Sequence, residues 1–364
     1  MAADNSKRNS TLLSHRLHNQ HIAGARFETA RDVVAWLGAV QAQDYLGALW
    51  AIGLRMSAAV EGDVEQALAD RTIVRTWPMR GTLHFVPAAD VRWMLALLTP
   101  KVIAGSARRH AELGLDEATF TRSREMFLQV LQGGQQLTRA ELGEALEAAG
   151  IATAGQRLYH ILGLLAQEGL ICFGVRQGRQ QTFVLLDEWL PLTKHLERDE
   201  ALAELARRYF ASHGPATDRD LAWWLGVTLG DARTALGLAT QHLASEQIDG
   251  QTYWQAPQPA AVTDVSNSAW LLPAYDEYTV GYTDRSALLD PAGQEYVDAG
   301  HSILFPTVVI DGKVVATWRR TVKKRSITIE LNPFAPLSQR ALRLIETAAD
   351  RYGAFFGLPA EVNL

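Results

Sequence analysis

Apolar positions in the middle of the chain recur first at helical spacing and then at strand spacing. Thr138-Arg-Ala-Glu141 reads as a capping box, in which a hydroxyl and a carboxylate satisfy each other's backbone N–H groups. It opens a helix that ends near Gly150. A second run, 156–167, carries Leu158, Ile161, Leu162 and Leu165 on one face and stops at Gly169. Segments 170–175 and 181–186 then read as strands joined by a turn on Gln177-Gly178. Helix, turn, helix, hairpin is the order of a winged helix-turn-helix, assigned to residues 115–190.

The order returns in 198–256. A helix at 201–210 precedes Thr217-Asp-Arg-Asp220, a second capping signal, and Gly226 ends the helix it opens. Thr228-Leu-Gly-Asp231 opens the next helix, 232–243, before a short hairpin at Asp249-Gly250. A looser copy fits residues 10–100. Its helices are expected at 13–20, from the Thr29-Ala-Arg-Asp32 cap to Val40, at 45–55 and at 63–69. Its hairpin is expected at 73–78 and 82–86, turning at Arg80-Gly81.

Residues 262–364 differ. Short β-rich runs at 270–272, 302–309, 313–318 and 326–331, with Asp311-Gly312 as a hairpin turn, predict a small β-barrel or half-barrel. A helix at 337–352 closes the domain. Pro257-Gln258-Pro259-Ala260 reads as a semi-rigid linker before it. The expected fold is therefore α+β: three tandem winged helix-turn-helix modules, then a small β-barrel and a C-terminal helix.

At 364 residues, 48% hydrophobic and 21% charged, the chain is long enough for several cores and too apolar for extended disorder. One cysteine, Cys172, excludes a disulfide scaffold and a Cys-rich zinc site. The polar first ten residues lack a signal-peptide core, and no apolar run suggests a membrane span. A cytoplasmic monomer without membrane contact is expected. The net charge of -5 hides 29 Arg against 6 Lys. Five basic residues, Arg319, Arg320, Lys323, Lys324 and Arg325, fall within seven positions, and no acid follows until Glu330. Such a run needs an anionic partner or water; DNA contact is favoured over a solvated loop.

Common enzyme signatures are absent: there is no GxGxxG, P-loop, GxSxG or HExxH. His15, His18 and His21 lack a nearby carboxylate or cysteine to complete a metal site, and are expected to face solvent. No metal or organic cofactor is implied. The unusual segment is Gln41-Ala-Gln43-Asp44, between two helices of the first module. Residues two apart share a side only in extended backbone, so the two amides converge only if this turn is extended. Against this, glutamine is also a common turn and cap residue.

Gln41-Ala-Gln43 followed by Tyr45-Leu-Gly-Ala-Leu-Trp-Ala-Ile-Gly-Leu-Arg55 resembles the start of the AlkZ-type winged-helix DNA glycosylases. Further similar stretches are Arg75-Thr-Trp-Pro-Met-Arg-Gly-Thr-Leu-His84, Leu271-Leu-Pro-Ala-Tyr-Asp-Glu-Tyr278 with Asp284-Arg285, and Phe305-Pro-Thr to Trp318-Arg-Arg320. The resemblance implies three winged helices and a β-barrel around a DNA channel, with a catalytic Q-x-Q motif at Gln41 and Gln43. A more distant branch has an acid at the second position, which this sequence does not follow.

The implied activity is monofunctional hydrolysis of N7-alkylated purines from double-stranded DNA, extending to interstrand crosslinks. An N7-alkylguanine is already cationic and departs without protonation, so two neutral amides that position water suffice. No lysine or terminal amine is placed for Schiff-base lyase chemistry. Arg75, Arg80 and His84 border the first hairpin as further DNA contacts, with a hydrogen-bonded structural role as the alternative for His84. Asp44 reads as a helix N-cap or N1 residue rather than a stabiliser of the cationic sugar. Asp276, Glu277, Asp284 and Arg285 read as an internal ion-pair network at least as readily as catalytic groups, and Trp318 as a plug of the barrel. The alternative function is a non-catalytic DNA-binding regulator or lesion sensor; a weaker third is action on RNA or a nucleotide.

Overall fold

The computed structural model describes residues 2–257, 262 and 264–364, with side chains from residue 9 onward. The linker read at 257–260 lies, after its first residue, outside the described residues. The chain divides into two compact units, one comprising 1–64 and 202–364, the other 65–201.

The first unit opens with α1 (Ala2–Asn19), α2 (Ala30–Leu37), β1 (Val40–Gln41) and α3 (Tyr45–Gly53), and α4 (Glu61–Ala69) runs through the boundary. Thr29 caps α2 as expected, its hydroxyl accepting from the Asp32 amide at 3.1 Å. Helix α3 is buried from Gly47 to Gly53. An all-round apolar helix must be covered on every side. Its Trp50 packs edge-on against Tyr352 at 5.1 Å and donates to the Leu271 carbonyl at 2.7 Å. Gly53 is required there, because a Cβ would stand 2.2 Å from the Phe355 ring.

The second unit holds the hairpin β2 (Ile73–Met79) and β3 (Thr82–Pro87), then α5 (Val91–Glu112), α6 (Glu117–Leu131), β4 (Leu137–Thr138), α7 (Arg139–Ala148), α8 (Arg157–Gln167), β5 (Ile171–Phe173), β6 (Thr182–Leu185) and α9 (Leu186–Trp189). The first hairpin turns on Arg80 and Gly81, both at positive φ (55° and 68°), the combination that fits the twist of a two-residue hairpin. The capping box at Thr138 and Glu141 is formed in both directions. The α8 face of Leu158, Ile161, Leu162 and Leu165 is buried against Phe127 and Leu142. Strands β4, β6 and β5 form one sheet in that order.

The first unit resumes through α10 (Arg198–His213), α11 (Asp218–Leu225), α12 (Leu229–Ala239) and the hairpin β7 (Ala244–Ile248) and β8 (Gln251–Gln255). Thr217 and Asp220 form the second capping box, and Gly226 ends α11 in the left-handed conformation. The C-terminal part contains β9 (Ala269–Leu272), α13 (Glu277–Val280), α14 (Pro291–Asp298), β10 (Thr307–Ile310), β11 (Lys313–Val322), β12 (Ile327–Pro333), α15 (Gln339–Phe355) and β13 (Ala360–Asn363).

Five of these strands form a curled half-barrel in the order β13-β12-β11-β10-β9, so the open alternative holds rather than a closed barrel. Strand β13 has no counterpart among the β-rich runs read from the sequence; it pairs parallel to β12 after α15 has crossed over. Trp318 is the plug, 2% exposed, donating to the Leu272 carbonyl at 2.9 Å. Trp50, Trp318 and Phe356 surround Tyr352 of α15. Each large side chain removed from water there contributes on the order of 1.5–3 kcal/mol, which seats α3 firmly on the sheet. Among the described residues no helix is long and apolar enough to cross a membrane.

Candidate active site

The turn after α2 sets up the site. Gly38 leaves the helix at φ 81°, and the chain then runs extended through β1 to Asp44 (φ -86°, ψ 99°). Ala42 is buried, and the side chains on either side of it meet. Gln41 Nε2 donates to Gln43 Oε1 at 2.6 Å. The condition set by the spacing, an extended turn, is fulfilled. Gln41 is 7% exposed whereas Gln43 is open to solvent, so the pair sits at the surface with its root inside. The bond orients both amides: Gln43 offers its Nε2 hydrogens, and its Oε1 keeps a second lone pair.

Asp44 follows directly, and here the expectation is corrected. It occupies the N-cap position of α3, but its side chain makes no capping hydrogen bond. Arg320 on β11 holds it instead, with Nη2 at 3.0 Å from Oδ1 and 3.3 Å from Oδ2, and donates to the Tyr352 hydroxyl at 3.2 Å. Burial opposes the charge on Arg320, but Tyr352 and Asp44 outweigh it and raise its pKa above the ordinary arginine value. Gly47 makes room, since a Cβ would fall 2.4 Å from Asp44 Oδ2. Arg320 therefore braces the site from within. Arg319, Lys323, Lys324 and Arg325 are exposed around the β11–β12 turn, which the Lys323 amide closes on the Ser326 carbonyl at 2.9 Å.

Beneath Gln41 lies Glu277, at the start of α13 and 1% exposed. Its Oε1 accepts from the Gln41 amide at 3.3 Å, and its Oε2 from Trp224 Nε1 at 2.8 Å, with His213 Nε2 at 3.2 Å. Neighbouring Asp276 is bound by Arg55 through two 2.9 Å contacts, and Arg55 also donates to Gln20 and Ala51. The expected ion-pair network exists for Asp276, with Arg55 as its unforeseen cation. Asp284 and Arg285 belong elsewhere. Asp284 is exposed and accepts from the Ser286 amide, while Arg285 donates to the Thr279 carbonyl. Sequence carried one signal for this buried layer, the family-like stretch Leu271 to Tyr278 that contains both acids. It carried none for His213 or Trp224.

In the second unit, Arg75 is 5% exposed with its guanidinium 4.6 Å over the Phe173 ring. It lines an apolar cavity with Trp77, Tyr159 and Phe183. His84 is fully buried: Nδ1 faces the Thr82 carbonyl at 3.0 Å and Nε2 faces half-buried Arg80 at 3.1 Å. His84 is thus enclosed by its own hairpin, and the Arg75 side chain is buried in the wall of that cavity. His15, His18 and His21 are half-buried rather than solvent-facing. His21 packs tilted against Phe27 and edge-on against Trp36, and burial lowers its pKa. No cluster of three metal-ligating side chains occurs among the described residues. Cys172 is wholly buried, which pushes its thiol pKa up and makes it an inert core residue.

The family model described as "DNA glycosylase AlkZ-like" matches residues 34–355, and the chain belongs to that family. The interstrand DNA cross-link repair glycosylase of Streptomyces sahachiroi is 27% identical over 354 residues, covering 93% of this chain and 94% of that protein. The solved structure of the Streptomyces sahachiroi DNA glycosylase AlkZ matches with a TM-score of 0.78 at 24% identity, over 97% of this chain and 99% of that one. The fold is thus that of AlkZ.

Proposed function

We propose that this protein is a monofunctional DNA glycosylase that hydrolyses the N-glycosidic bond of N7-alkylated purines in double-stranded DNA, including purines tied into interstrand crosslinks. The observation that carries the proposal is the 2.6 Å bond between Gln41 and Gln43 in an extended turn of an AlkZ-like chain. Glycosidic cleavage builds up oxocarbenium character at the sugar. The amide oxygens accept hydrogens of the attacking water and the Gln43 amino group donates to it, which fixes its approach. A neutral amide is no general base, so the scheme works where the leaving base is already cationic. It needs no cofactor.

The helix–turn–helix–hairpin segments at 10–100, 115–190 and 198–256 act in this reading as winged-helix modules facing duplex DNA. Arg319, Lys323, Lys324 and Arg325 contact its phosphates, while Arg320 holds Asp44 in place.

Single-turnover base release from a duplex with one N7-methylguanine tests the reading. Wild type should release the base, and Gln43→Ala should lose at least about 100-fold in rate, the scale of a mispositioned reactant, while still binding the duplex. Binding without release, there and on an N7-linked crosslink, would leave a non-catalytic DNA-binding protein.

A further inference from the structure

Three hydrogen bonds converge on the buried carboxylate of Glu277, and counting hydrogens says what state it is in. The Ser212 hydroxyl has one hydrogen and donates it to the Arg208 carbonyl at 2.7 Å. Its 2.8 Å contact with His213 Nδ1 therefore requires a hydrogen on that nitrogen. The 3.2 Å contact between His213 Nε2 and Glu277 Oε2 then needs a further hydrogen between them. The two side chains share one proton, as imidazolium and carboxylate or as imidazole and carboxylic acid. His213 is fully buried, so this proton is shielded from solvent.

The groups packed around the pair are neutral or engaged elsewhere. Tyr209 stacks on the imidazole at 4.7 Å and Tyr282 lies 6.3 Å away, its hydroxyl donating to the His213 carbonyl. Burial raises both phenol pKa values, so neither competes as an anion. Arg16 sits over Tyr282, Asp220 is engaged by Thr217 and Thr283, and Asp276 by Arg55. Gly281 belongs to the same design, since a Cβ would stand 2.7 Å from the His213 ring.

We propose that Glu277, held by His213 and Trp224, is the positioning residue that fixes the Gln41 peptide and through it the orientation of the Gln41–Gln43 amide pair. The proposal rests on the reading of these glutamines as the groups that position water. Glu277 lies 236 residues from Gln41 in sequence, yet its Oε1 takes the amide hydrogen of a two-residue strand. Turning that peptide swings the amide at the end of the Gln41 side chain, and displacements of about 1 Å cost on the order of 100-fold in rate. A carboxyl group is needed because Oε1 and Oε2 both accept. Glutamine at 277 keeps the length but must oppose an N–H either to Gln41 N–H or to Trp224 Nε1–H.

The test compares Glu277→Gln, His213→Gln and His213→Leu with wild type, reading single-turnover base release and duplex affinity separately on an N7-methylguanine duplex. Glu277→Gln should slow release about 10- to 100-fold with affinity within about twofold of wild type. His213→Gln places an N–H donor where the imidazole Nε2 stood and should keep release within about threefold, whereas His213→Leu should fall with Glu277→Gln. A general loss of folding would lower affinity and release together and would not be rescued by glutamine at 213. Folded Glu277→Gln releasing at the wild-type rate overturns the proposal. If Glu277→Gln does not fold, equal rates for the two His213 variants overturn it. Absence of release by wild type would overturn the glutamine reading itself, and this proposal with it.

Discussion

Arg320 grips Asp44 across 276 residues of sequence, binding both oxygens of a carboxylate that directly follows the Q-x-Q motif. The side chains keep only 19% and 33% exposure, so the pair is partly desolvated and the guanidinium also reaches Tyr352. Arg320→Ala should destabilise the protein by about 1–2 kcal/mol, a value reduced for residual solvent screening. It should also slow base release from bound DNA, because Asp44 then rotates freely beside Gln43. Lysine cannot reproduce the fork geometry and should restore little. Release rates of Arg320→Ala and Arg320→Lys equal to wild type would separate this ion pair from the chemistry.

The exposed part of the basic run should act on affinity through salt. Neutralising one phosphate-binding side chain reduces the slope of log affinity against log salt by about 0.9 on duplex DNA. Replacing Lys323, Lys324 and Arg325 together by alanine should lower that slope by about 2–3 and weaken binding to undamaged and damaged duplex alike. An unchanged slope in a salt titration would make this run a solvated turn.

Two glycines of α3 should answer differently to alanine. At Gly53 the new methyl meets the Phe355 ring, wedged between Trp50 and Phe356, and such overpacking costs about 1–3 kcal/mol. At Gly47 the methyl meets the movable end of Asp44, 2.4 Å away, with Pro273 Cβ at 3.2 Å. Gly47→Ala should therefore cost less stability but detach Asp44 from Arg320 and reproduce the kinetic defect of Arg320→Ala. Denaturant unfolding and release assays on both variants check the contrast.

Burial lowers the imidazole pKa values of His15, His21, His110 and His160 below the ordinary 6.5. Unfolding returns each to the ordinary value, so the unfolded chain takes up protons that the folded chain refuses. Their contribution to stability is complete above pH 6.5 and is lost as pH falls through the lower folded values. The thermal midpoint should drop between about pH 7 and pH 5, before carboxylates such as Asp116 and Glu141, held low by Thr119 and Thr138, begin to protonate. His21→Gln and His110→Gln should each shrink the drop. A midpoint flat or rising on acidification contradicts the assignment.

What sequence alone determined is what a few neighbouring residues settle among themselves. Thr138 with Glu141 and Thr217 with Asp220 close their boxes over three residues, and Arg80-Gly81, Asp249-Gly250 and Asp311-Gly312 all turn at positive φ. The extended turn that brings Gln41 to Gln43 is local in the same sense. Tertiary structure decided the rest: that Asp44 pairs with Arg320 instead of capping α3, that Arg55 neutralises Asp276, and that His213 and Trp224 lie behind Glu277. It also decided that residues 360–363 join the half-barrel and that the N-terminal histidines are half-buried. The physical reason is one of range. Caps and turns satisfy backbone groups within the same few residues, whereas a buried charge must find its partner wherever the packed core brings one within about 3 Å, and that distance exists only after the chain has folded.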